Sequence, residues 1–124
     1  MEPSNTQIND LLPLREPTFY ILLSLAGGEK HGYGILKTIE QLSRGKLRLS
    51  TGTLYEALAR LVELEWIERV DSSLPTSDPD ADQRSKTRKA YRISRLGMRV
   101  LRAELDRLQA LVSTARLQLG EEGA

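Results

Sequence analysis

The spacing of apolar residues divides the chain into helical and extended stretches. Phe19, Leu22, Leu23 and Ala26 recur at helical spacing ahead of Gly27-Gly28, which predicts a first helix at about 17–26. Ile35, Leu36, Ile39 and Leu42 predict a second at about 32–43, with Gly45 marking the turn after it. Leu47 and Leu49 alternate with Lys46 and Arg48, which fits a very short strand. A third helix at about 51–64 carries Leu54, Leu58, Leu61, Val62 and Leu64 on one stripe, and Ser50 or Thr51 can cap it. The period then drops to two: Trp66-Ile67-Glu68-Arg69-Val70 and Lys89-Ala90-Tyr91-Arg92-Ile93 read as paired strands of a hairpin with a long tip between them. Ser94 caps a last helix running to about Leu119. Residues 1–15 are polar with scattered leucines, and Pro13 and Pro17 break any long helix there, so they read as a flexible arm.

This order gives a fold that is mainly α with a small β-hairpin: a winged helix-turn-helix with a long C-terminal dimerisation helix. The expected divisions are an arm over 1–15, the winged domain over 16–93 with its wing from about 66, the helix over 94–119 and a tail over 120–124.

Composition narrows the chemistry. With no cysteine there is no disulfide or thiol chemistry, and a single histidine makes a zinc site improbable. No cofactor or metal is expected, and nothing supports an enzyme, since there is no phosphate loop and no paired acidic groups in a plausible cleft. The N-terminus lacks a secretory pattern and no apolar run is long enough to cross a bilayer, so a cytoplasmic location is expected. A net charge of +1 supplies no general attraction for nucleic acid, so DNA binding would need a local basic patch.

The stretch Ser50-Thr51-Gly52-Thr53-Leu54-Tyr55 supplies candidate contacts at a helix N-terminus. Free amides and the positive end of the dipole attract phosphate there, three hydroxyls add neutral donors, and Gly52 removes bulk. Tyr55, Glu56, Ala59 and Arg60 continue the solvent face. The plainer reading is a Ser50 cap with Thr53-x-x-Glu56 as a capping box and Tyr55 as half-buried packing. Arg84, Lys86, Arg88, Lys89 and Arg92 on the returning arm of the hairpin favour DNA, since a basic wing can straddle a phosphate backbone. A solvated charge run is the alternative.

His31-Gly32-Tyr33-Gly34-Ile35, the Ser50–Tyr55 stretch with Leu58 and Arg60-Leu61, and Arg88-Lys89-x-Tyr91-x-Ile93-Ser94-x-x-Gly97 together resemble the PadR family of bacterial transcriptional regulators, in its shorter subgroup with a single C-terminal helix. The resemblance implies a homodimeric repressor on an inverted-repeat operator in double-stranded DNA. It places Ser50, Thr51, Gly52, Thr53 and Tyr55 at the DNA, with Arg88 and Lys89 at the base of the wing and Arg60 on the same helix. It makes His31 structural.

The last helix argues for a dimer independently. Leu101, Leu105, Leu108, Val112, Ala115 and Leu119 alternate spacings of four and three, an a/d seam of about two and a half heptads. A small winged domain has too little surface to cover that seam, so a partner helix is the simplest cover, with packing against the N-terminal arm as the alternative. The family pairs this helix with the partner's first helix, which would add Phe19, Leu22 and Leu23 to the interface. Some family members bind aromatic compounds between subunits by stacking on a tryptophan of the last helix. Here that helix has no aromatic residue, and Phe19, Tyr20, Leu101 and Leu105 are the candidate lining for a small apolar or aromatic effector. The competing function is a winged-helix protein-interaction module without DNA binding.

Overall fold

The N-terminal segment holds more structure than its composition predicts. In the computed structural model, which describes residues 2–71 and 89–121, a short helix α1 spans Asn5–Asn9. Ser4 and Gln7 form a reciprocal capping box around its first turn, with Gln7 N–H donating to Ser4 Oγ (3.1 Å) and Ser4 N–H to Gln7 Oε1 (2.8 Å). Ile8 is buried in the core. The expectation of a loose arm is therefore corrected. The prolines exclude a long helix but not one of five residues, and burial of Ile8 anchors it.

Helix α2 (Glu16–Ala26) follows, with Pro17 at its start, where a missing N–H costs nothing. A two-residue strand β1 (Lys30–His31) leads into α3 (Gly32–Leu42), then α4 (Thr51–Glu63). Strands β2 (Ile67–Asp71) and β3 (Lys89–Ile93) precede the long helix α5 (Arg95–Gln118). The residues between β2 and β3, including Arg84, Lys86, Arg88 and the acidic tip, lie outside the described residues.

The described strands form one antiparallel sheet in the order β1-β3-β2. Strand β3 pairs along one edge with β2, in a register that sets Asp71 opposite Lys89 and Glu68 opposite Arg92. Along its other edge it pairs with β1, Lys30 opposite Tyr91 and His31 opposite Ala90. The short strand expected around Leu47 and Leu49 does not form. Those leucines sit half-buried against the core, and Ser43 Oγ takes the Leu47 amide (3.0 Å). The sheet's third strand is Lys30–His31, which has the free edge of β3 to pair with.

Ile21, Leu22 and Leu25 from α2, Ile35 and Ile39 from α3, and Leu54, Leu58 and Leu61 from α4 form the core with Ile67, Tyr91, Val100 and Leu101. This burial changes the reading of the dimer seam. Leu22 and Leu101, expected at the interface, are 0% and 2% exposed inside their own chain. Burial on α5 ends at Glu104, after which Leu105, Leu108, Leu111, Val112, Leu117 and Leu119 are all exposed.

Candidate nucleic-acid interface

Ser50 is the N-cap of α4. Its Oγ accepts from the Thr53 amide (3.1 Å) and donates to Thr53 Oγ1 (2.9 Å). The cap is thus Ser50 with Thr53, and the capping box expected from Thr53 and Glu56 does not form, because Thr53 is already inside the helix. Thr51, Gly52 and Thr53 are exposed, and a Cβ added at Gly52 would meet nothing within 4 Å. The Thr51 and Gly52 amides have no acceptor within the helix, as in any first turn. The end of α4 is therefore open, small and electropositive.

Tyr55 lies one turn further on, 43% exposed. Its ring lies over Gly32 at the start of α3: a Cβ built at Gly32 would overlap the phenol oxygen and stand 2.9 Å from its Cζ. A side chain at position 32 would have to push aside the phenol end of Tyr55, which reaches across from α4 to the start of α3. His31 caps the same corner from the other side, its Nδ1 3.0 Å from the Lys89 carbonyl of β3. The histidine thus links the start of α3 to strand β3. Tyr33 carries Lys37 over its ring at 5.7 Å, and burial pushes the Lys30 ammonium down in pKa while it caps the end of α2 through the Ser24 carbonyl (2.6 Å).

Two of the described cations of the wing, Lys89 and Arg92, are already partnered. Lys89 Nζ is 2.7 Å from Asp71 Oδ1, and Arg92 Nε is 3.3 Å from Glu68 Oε1, each joining residues set opposite by the β2–β3 register. Arg88 lies outside the described residues. Arg60 stands apart from the rest: ten residues along α4 from Ser50, about 15 Å up the helix, it lines a hollow with Arg15 and Leu64. The structure thus brings Ser50, Thr51, Gly52, Thr53 and Tyr55 together, sets Lys89 at the wing and separates Arg60 from them.

The expected effector lining also changes. Phe19 and Tyr20 pack edge to face, 5.8 Å apart at 80°. Leu101 is sealed in the core and has no surface to offer a ligand. No helix among the described residues is long and apolar enough to cross a membrane.

The model of the transcriptional regulator PadR-like family matches residues 21–103, across the three motifs. The chain belongs to the PadR-like family. It is accordingly a transcriptional regulator and not an enzyme. No curated protein sequence matches it. Its fold is similar to that of a transcriptional regulator from Clostridium thermocellum (24% identity, 82% of this chain and 89% of that one, TM-score 0.61). A PadR family regulator from Clostridium difficile R20291 is similar too (22% identity, 82% and 95% coverage, TM-score 0.58). So is Bacillus subtilis PadR, solved in complex with operator DNA (21% identity, 73% of this chain and 47% of that one, TM-score 0.59). At these identities the likeness is one of fold, and it gives the PadR-like chain a winged-helix architecture.

In this PadR-like chain the third motif is a clamp. Ser94 caps α5 through the Gly97 amide (3.0 Å), donates its hydroxyl to the Glu65 carbonyl (2.6 Å), and sends its own amide to the Trp66 carbonyl (2.9 Å). The end of α4 is thereby fastened to the start of α5. The buried carboxylate of Glu104, which no motif marks, accepts the Leu14 amide (2.8 Å) and two hydrogen bonds from Arg107. Its signal is an acidic residue facing inward, one turn after Leu101.

Proposed function

We propose that this regulator is a homodimeric repressor whose α4 enters the major groove of an inverted-repeat operator in double-stranded DNA, with the β2–β3 wing against the flanking phosphates and release by a small ligand. The observation that carries the reading is the open first turn of α4, where the Thr51 and Gly52 amides lack a helical acceptor, Thr51 and Thr53 are exposed, and Gly52 leaves open space. Tyr55 adds an aromatic hydroxyl beside them. Bacillus subtilis PadR, of similar fold, binds operator DNA, which supports the same use of the helix here. The chain acts in the cytoplasm, where the operator is.

The dimer would form along α5 from Leu105 onward, through Leu108, Val112, Ala115 and Leu119, with half-buried Phe19 and Leu23 beside it. Each buried leucine contributes on the order of 1.5–3 kcal/mol. Leu108→Glu combined with Val112→Glu is expected to weaken dimerisation by at least about a hundredfold, read by sedimentation equilibrium. An unchanged dimer would place the interface elsewhere.

Fluorescence anisotropy on the DNA upstream of the protein's own gene, against a scrambled duplex at two salt concentrations, tests the operator reading. Tight binding to that DNA alone, weakening as salt rises, is the expected result. The ion pairs that neutralise Lys89 and Arg92 favour a second reading, a winged-helix module that meets a protein partner. Asp71→Asn separates the two. Freed from its carboxylate, Lys89 is expected to strengthen DNA binding about two- to fivefold and to steepen the salt dependence. A protein-interaction module would show neither change.

A further inference from the structure

Arg60, displaced from the DNA-facing end of α4, lies in a setting of its own. Between the segment Leu11–Thr18 and the last turns of α4 there is a hollow of about 290 Å³. Buried Leu61 and Trp66 form its floor, and Leu14 and Pro13 form one wall. Leu11 and Leu64, 44% and 39% exposed, stand at its mouth. Arg15 and Arg60 line the same hollow from opposite elements, and neither has an ion pair or hydrogen bond from its side chain to another described residue.

An apolar hollow faced by two unpartnered guanidiniums has a definite chemical complement. Guanidinium holds carboxylate in a planar two-pronged arrangement, while the floor and mouth offer aliphatic surface that water solvates poorly. Leucine and proline make up half of the lining, and among the described residues Trp66 is its one aromatic group. The volume lies at the small end of ligand sites, which run from about 300 Å³ upward. We infer that this hollow binds a small alkyl carboxylate, its carboxylate between Arg15 and Arg60 and its chain against Leu11, Leu61, Leu64 and Trp66.

Such a ligand would join the start of α2, where Arg15 is the N-cap residue, to the C-terminal end of α4. As the route by which a ligand acts on DNA binding, this rests on the proposed repressor function. As a binding site it stands without it, and the test uses no DNA.

Octanoate is the probe, titrated into the isotopically labelled full chain and followed by NMR, with octanol as the uncharged control. Saturable shifts are expected at Leu11, Arg15, Leu61, Leu64 and the Trp66 indole, with a dissociation constant of roughly 0.1–1 mM. Arg15→Gln and Arg60→Gln should each weaken octanoate roughly tenfold and leave the weaker binding of octanol unchanged. Both arginines are exposed, so neither variant threatens the fold. No saturable shift, shifts confined to other parts of the chain, or equal octanoate affinity in the wild type and both variants would overturn the assignment.

Discussion

Gly97→Ala is expected to destabilise the protein by about 3 kcal/mol, at the upper end of the usual cost of overpacking. A methyl group built on Gly97 overlaps the Trp66 carbonyl oxygen and stands 2.9 Å from the carbonyl carbon and 3.0 Å from Ile93 Cγ1. Two of those atoms are backbone, and that backbone is pinned. The Trp66 carbonyl accepts the Ser94 amide, and the Trp66 amide donates to the Leu61 carbonyl. The turn between them carries Glu65 at φ 64°, a left-handed conformation that a non-glycine residue adopts at a cost of roughly 1–2 kcal/mol. The chain cannot move aside without breaking the end of α4 or the start of α5. In thermal melts at fixed protein concentration, Gly97→Ala should lower the midpoint by about 10 °C or more. Gly52→Ala, whose Cβ would meet nothing, should change it by little more than a degree or two. Similar melting of the two variants would show that the α4–α5 junction yields, and the clamp would lose its explanation.

That junction shows what could be read in the sequence and what could not. Helix α4 and strand β3 lie where periodicity puts them, because each repeats its apolar period over several residues against one core. Helix α1 and strand β1 escaped because five and two residues are too few to show a period. Ser4 and Gln7 nevertheless spell a capping box that could have located α1. Ser50 was legible as a cap, since capping is local. The approach of Tyr55 to Gly32 was not: the phenol comes from a residue on another helix, and no local pattern encodes that meeting. The same holds for Gly97 beneath Trp66.

Charge was legible as composition and not as pairing. The cations of the returning strand stand out in the sequence, but the register that puts Asp71 against Lys89 and Glu68 against Arg92 emerges only once β2 and β3 align. A helical wheel likewise puts Arg60 on the solvent face without saying that the N-terminal segment passes beside it. The motifs themselves combine two tasks. Ser50 and Tyr55 shape the surface proposed to meet DNA, whereas His31, Ser94 and Gly97 tie together α3, β3, α4 and α5, which present it.

Removal of the Glu104 carboxylate should have the second large effect, and acid should reproduce it. Glu104 is 2% exposed on α5 and accepts Leu14 N–H from the segment that precedes α2, so it ties the two ends of the chain together. Hydrogen bonding from Arg107 is the main influence holding its carboxyl below the ordinary value of 4.5. Burial opposes that shift, and the Leu14 amide and the charge of Arg107 add to it. Glu104→Leu leaves a backbone N–H without its acceptor and is expected to cost about 2 kcal/mol at neutral pH. Glu104→Gln keeps an acceptor for Leu14 and should cost clearly less.

The sign with pH follows from the direction of the shift. A carboxyl with its pKa depressed in the folded state stabilises the fold fully above the unfolded value, and that stability is lost as pH falls through the folded value. Urea unfolding at a series of pH values should therefore show the wild type losing stability more steeply below about pH 4.5 than Glu104→Gln, the two curves converging as the carboxyl takes up its proton. Parallel curves throughout would mean that Glu104 carries no shifted ionisation in the folded protein, and the tie between Leu14 and α5 would then owe nothing to the charge of the carboxylate.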